Sequence, residues 1–102
     1  MAQSIIWSAA AFEDFEAVTA FIAKDSTHYA ASFAREVLEA SGALARFQDR
    51  GRIVPEFALA DIRELFVRNY RLIYRSTPDE VQILGFIHGS RDLLSLWSNR
   101  SS

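Results

Sequence analysis

The hydrophobic pattern of this chain changes period once, near Pro55, and that change constrains the fold more than any other feature. Before it, Phe12, Phe15, Val18, Phe21 and Ile22 recur at helical spacing. After the cap-and-turn pair Asp25-Ser26, so do Tyr29, Phe33, Val37, Leu38, Ser41, Leu44 and Phe47. Beyond Pro55 three short runs, Ile62–Val67, Tyr70–Ser76 and Glu80–Ile87, are rich in branched and aromatic residues. Arg68-Asn69 and Thr77-Pro78-Asp79 separate them with turn chemistry. The spacing therefore predicts a helical hairpin followed by an antiparallel meander.

The remaining segments complete the outline. Ser4–Ser8 reads as an opening strand, with Ser8 as N-cap and Glu13, Asp14 and Glu16 in the early turns of the first helix. That helix is expected to end near Lys24, and the second to begin at Thr27 or His28. Asp49 to Pro55 breaks the second helix with a glycine and a proline. A last helix is expected from Ser90 to Trp97, capped by Ser90, with Ser90–Ser102 readable as a helix or a loose tail. The predicted order is β-α-α-β-β-β-α, an α+β fold in one domain over residues 1–102.

Composition removes several function classes. The chain has 102 residues and no cysteine, so it has no disulfide frame, thiolate metal site or cysteine nucleophile. Its histidines, His28 and His88, are not at metal-ligand spacing, and neither a metal nor a cofactor is expected. The start lacks a signal-peptide pattern and no apolar run reaches membrane-spanning length, which predicts a soluble cytoplasmic protein that does not engage membranes. A net charge of −2 argues against general electrostatic binding to nucleic acid. The charge is uneven, though: residues 46–102 hold nine arginines and no lysine. An anionic partner is expected to dock there, unless these arginines are merely solvated or paired with neighbouring acids.

The middle strand sharpens that expectation. In NYRLIYR, alternation puts Tyr70, Leu72 and Tyr74 on one face and Arg71, Ile73 and Arg75 on the other. With helices on one side of the meander, the arginine face is expected to be open, a docking surface for a peptide or a nucleic acid backbone. The alternative is an ordinary solvated face, with Arg71 or Arg75 paired across strands to Glu64 or Glu80.

Taken in order, IIWS, FIAKDS, GRIVPE, IRELFV, NYRLIYR and VQILGFIHGSRDL resemble the ParE branch of the ParE/RelE toxin superfamily, from about Ile5 to Leu93. The resemblance implies a helical hairpin packed on an antiparallel sheet, in agreement with the periodicity. It also implies the toxin half of a bacterial type II toxin–antitoxin pair. Two activities are then open: ParE-like poisoning of DNA gyrase without a catalytic centre, or ribosome-dependent mRNA cleavage of RelE type. A third reading is an inactive toxin fold that only binds an antitoxin.

Residues weigh between them. An RNA-cleaving site needs a base, cations for the phosphorane charge and an acid. The resemblance implies that RelE-like members take these from lysines on the first meander strand, arginines in the middle strand and after the last, and a C-terminal tyrosine. Arg71 and Arg91 match the arginines. IRELFV offers Glu64 and Phe66 but no lysine, and Trp97, which cannot transfer a proton, stands at the tyrosine position. His88 is the one substitute base, with a structural or solvated role as its alternative. The expectation is a non-enzymatic gyrase inhibitor held by a ParD-like, ribbon-helix-helix antitoxin, with no direct sequence-specific nucleic acid binding. Its expected partner-binding residues are Arg63, Arg71, Ile73, Arg75, Arg91 and Trp97.

Overall fold

The computed structural model describes residues 3–98. Strand β1 (Ser4–Trp7) leads into α1 (Ala9–Ala23), and α2 (Thr27–Ala43) follows after three residues. Both helix starts are capped as the sequence predicts. The Ser8 hydroxyl accepts from Ala11 N at 3.1 Å and the Ser26 hydroxyl from Tyr29 N at 3.0 Å. Each cap satisfies an amide that the first helical turn leaves without a partner. Then come β2 (Arg52–Ile53), β3 (Ile62–Val67), β4 (Tyr70–Ser76), β5 (Glu80–His88) and α3 (Leu93–Ser98). The two-residue β2 is an addition to the predicted order, lying inside the segment read only as a break.

These strands form one sheet in the order β1-β5-β4-β3-β2. The meander is antiparallel, and β1 closes one edge by pairing parallel with the first half of β5, Ser4 opposite Glu80 and Trp7 opposite Ile83. A register shift between Ile73 and Tyr74 bends β4 against β5. On one face, Phe15, Phe33 and Val37 of the hairpin pack against Leu72, Tyr74, Ile83 and Phe86. Phe12, Phe21, Tyr29 and Leu38, expected in the same apolar stripes, are 46–67% exposed. Phe47 is 60% exposed because α2 ends at Ala43, before it can bring that ring to the sheet.

The other face is also covered. Val54, Ile62, Ile73, Ile87 and Leu93 form a second core, with Phe57, Leu84, Leu96 and Trp97 packed against it. This corrects the expected open face: Ile73 has no exposure and Arg71 only 5%. The loop after β2 and the C-terminal helix supply the cover, and neither carries a long apolar repeat to announce it. α3 itself begins at Leu93 with Asp92 as cap, whose carboxylate accepts from Ser95 N at 3.3 Å. Ser90 instead hydrogen-bonds His88 Nδ1. Residues 99–102 of the expected helix or tail lie outside the described residues.

Two backbone positions tie the layers together. Arg68 takes a left-handed conformation, φ 56°, in the β3–β4 turn, where a non-glycine residue costs about 1–2 kcal/mol. Its guanidinium offsets this by reaching α2, 2.9 Å from the Glu36 carboxylate and 4.7 Å above the Tyr29 ring. Gly51 lies just before the edge strand β2, its N–H donating to the Tyr74 hydroxyl while that hydroxyl donates to Gln48 O. A Cβ at Gly51 would sit 2.5 Å from the Glu64 carbonyl oxygen and 2.7 Å from the Tyr74 hydroxyl. Gly51→Ala is therefore expected to cost about 1–3 kcal/mol by overpacking, read as a lowered urea midpoint; an unchanged midpoint would show that β2 shifts freely.

Candidate functional site

The chain's most concentrated charge chemistry lies under its second core. In the β3–β4 register Glu64 faces Ile73 and Phe66 faces Arg71, so Glu64 and Arg71 are diagonal neighbours on one sheet face. Arg71 Nε donates to one oxygen of Glu64, and Arg52 Nε, from β2, donates to the other at 2.7 Å. Both terminal nitrogens of Arg71 then donate to the two oxygens of Glu56, each at 2.8 Å. That planar fork-to-fork geometry is the one guanidinium makes with carboxylate. Four charges thus join β2, the following loop, β3 and β4, and the two central ones are almost wholly excluded from water.

The Arg71 bonds hold the Glu56 carboxyl down at about 2, against a burial effect that pushes the other way. A carboxyl with a folded pKa below its unfolded value near 4.5 contributes fully above pH 4.5. That contribution is lost as pH falls through 2. Acid titration of stability between pH 5 and 2 is thus expected to be shallower in Glu56→Gln than in the unaltered chain. Parallel curves would remove Glu56 from the acid transition.

Other expected site residues are dispersed. Ile87 lies opposite Arg71, whereas His88 lies opposite Tyr70 and meets that ring edge-on, with centroids 5.2 Å apart. Tyr70 packs against the hairpin core, so His88 and Arg71 project from opposite sheet faces. Arg91 lines a groove of about 320 Å³ with His88, Tyr70, Phe21 and Asp14, between α1 and the end of β5. Trp97 packs on Phe57, ring centroids 5.4 Å apart, as part of the cover over the second core. Arg63 donates to Gly51 O at 2.9 Å, and Arg75 lies 3.3 Å from the Asp61 carboxylate. His88 and Arg91 share the α1 groove, while Arg71, the other candidate phosphate-gripping arginine, lies on the opposite sheet face already bonded to carboxylates. The cross-strand partner Glu64 was readable from sequence; Glu56, in an irregular loop, carries no periodic signal that could have found it.

A family model described as the ParE toxin of type II toxin–antitoxin system, parDE, matches residues 5–93. The chain belongs to the ParE toxin family. A solved structure, the chromosomal ParDE toxin–antitoxin system from P. aeruginosa, superposes with a TM-score of 0.69 at 19% identity. The match covers 84% of this chain and 95% of that one, and at this identity it carries the fold alone. No curated protein matches the chain significantly.

ParE membership makes this chain the toxin component of a type II system and implies an antitoxin partner. It also gives the ionic cluster a context. In this ParE chain the middle-strand arginine is bound on two sides by carboxylates, and no helix among the described residues is long and apolar enough to cross a membrane.

Proposed function

We propose that this ParE toxin inhibits DNA gyrase by protein–protein contact, without a catalytic centre of its own, and is silenced by a ParD-like ribbon-helix-helix antitoxin. The observation that carries the non-enzymatic part is the occupied state of Arg71. A guanidinium that is 5% exposed and has three of its five N–H groups bonded to Glu56 and Glu64 is not presented to a phosphorane, and stripping it from them would leave Glu56 unpaired and Glu64 with Arg52 alone. His88 and Arg71 on opposite faces add to that case.

The antitoxin's acidic, amphipathic tail docks on this reading in the groove beside α1. There Arg91 supplies the cation and Phe21, 67% exposed, the apolar anchor. Induction without antitoxin tests the proposal in cells. DNA-damage signalling should precede any arrest of translation, and primer extension on translated mRNA should show no toxin-dependent cuts. Cuts within codons at the ribosomal A site would replace this reading with the RelE-type one. Normal growth would favour an inactive antitoxin-binding fold.

A further inference from the structure

The edge of the sheet farthest from β1 carries a feature that shares Arg52 with the ionic cluster and nothing with the α1 groove. The loop after α2 holds Arg46, Phe47 and Arg50 around a shallow hollow of about 600 Å³. Arg50 also lines a second hollow of about 310 Å³, whose other wall is Phe66 of β3. Arg52 lies over the Phe66 ring, its guanidinium carbon 5.4 Å from the centroid. One surface strip therefore runs Arg46, Phe47, Arg50, Phe66, Arg52.

Its rings are exposed to an unusual degree for phenylalanine, Phe47 at 60% and Phe66 at 52%. Neither Arg46 nor Arg50 has a carboxylate within 4.0 Å among the described residues. Nearby acids do not cancel the strip. Asp49 lines the first hollow but is 91% exposed and lies 3.9 Å from Arg63, Glu36 lines the second but is paired with Arg68, and Glu64 is bonded to both Arg52 and Arg71. Glu39 stands on the α2 wall of the second hollow, which puts the path for an anion on the β2 side, over Arg50 and Arg52.

What alternates along this strip is a flat ring and a guanidinium. An amphipathic helix would need a continuous apolar floor with anchors a turn apart, and here the two rings stand singly. An unpaired polynucleotide presents the matching alternation, a base face for each ring and a phosphate for each cation. We infer that the Arg46–Phe47–Arg50–Phe66–Arg52 strip binds single-stranded DNA without sequence preference, stacking bases on Phe47 and Phe66 and holding phosphates with Arg46 and Arg50. The inference takes its biological setting from the gyrase reading, in which the toxin meets DNA opened by its target. It also locates basic character that the chain's net charge of −2 conceals.

The test needs no gyrase. A fluorescein-labelled oligothymidylate of about 16 nucleotides, enough for one site of this kind, is titrated with the full chain while anisotropy is read. Saturable binding is expected, with the salt slope falling by about 0.7 for each of Arg46 and Arg50 replaced by Glu. Phe47→Ala and Phe66→Ala are each expected to weaken binding roughly 5- to 150-fold, the range of one lost stacking contact. Because both rings are more than half exposed, these variants should keep the parent's thermal midpoint.

Four results would overturn the inference: no binding at low salt; affinity indifferent to both phenylalanines; tighter binding of the duplex or of oligouridylate; or competition by polyglutamate as effective as by unlabelled DNA. The gyrase reading fails separately. Binding of the oligonucleotide by a chain that leaves gyrase untouched would retain this site and discard that target.

Discussion

Arg71→Ala is expected to cost about 3–5 kcal/mol of folding stability, the penalty for removing one partner of a buried ion pair. The reason is what remains behind. Glu64 has a fully buried carboxylate, and without Arg71 one of its oxygens loses its charge-assisted donor while Arg52, 59% exposed, keeps only the other. Glu56 would lose both of its bonds and with them the tie that holds the loop after β2 against the sheet. Against a total stability of about 5–15 kcal/mol for a domain of this kind, that loss is a large fraction.

The double replacement Arg71→Met with Glu64→Leu separates charge from packing. Removing both charges leaves no buried unpaired group, so it should be markedly less damaging than Arg71→Ala alone. Urea midpoints with unchanged slopes provide the comparison. A single variant as stable as the parent would mean that water reaches the cluster. A double variant worse than the single would mean that the pair itself, and not the orphaned charge, carries the stability.

Phe33→Ala should produce a loss of similar size, about 3–5 kcal/mol, for a different reason. Phe33 is 1% exposed and sits at the meeting of α2 with the meander, its centroid 5.5 Å from Tyr70 and 6.0 Å from Phe86. Phe86 in turn meets Phe15 of α1 at 6.0 Å, so this ring cluster joins both helices to β4 and β5. Deleting one ring leaves a cavity that the stacked Tyr70–Phe86 pair, 5.2 Å apart, is too constrained to fill. The outer residues of the same helical stripe give the control. Leu38→Ala, at a position 50% exposed, should cost far less. Equal losses at Phe33 and Leu38 would contradict the assignment of the core to one side of α2.

That contrast also shows how much of the molecule its sequence disclosed. Phe33, Val37 and Phe15 fell at helical spacing and are buried; Phe12, Tyr29 and Leu38 fell at the same spacing and are not. Period alone gives the stripe, while the width of the stripe that meets the sheet depends on how the hairpin sits. The three meander strands and both serine caps follow from local chemistry and were legible. The cover on the second face was not, because it is assembled from Val54 and Phe57 in an irregular loop and Leu93, Leu96 and Trp97 on a short helix.

Misreading that cover had a direct consequence for the site. Arg71, Ile73 and Arg75 share a strand face in sequence, and only tertiary burial distinguishes the bonded Arg71 from the half-exposed Arg75. The cross-strand pairing with Glu64 was open as an alternative and is the one the fold uses. For Arg91 the sequence showed a turn followed by an arginine. The structure adds its neighbours in the α1 groove, Phe21 and Tyr70, which no local pattern connects to it.

The proposed target is open to a direct reconstitution. Purified gyrase, relaxed plasmid and ATP are incubated with the free toxin, and with toxin premixed with its antitoxin. Supercoiling and linear DNA released by detergent and protease are read on one gel. Gyrase inhibition by the toxin predicts lost supercoiling and accumulation of linear, gyrase-linked DNA with toxin alone, both reversed by the antitoxin. Full supercoiling and no linear product at high molar excess of toxin would contradict it.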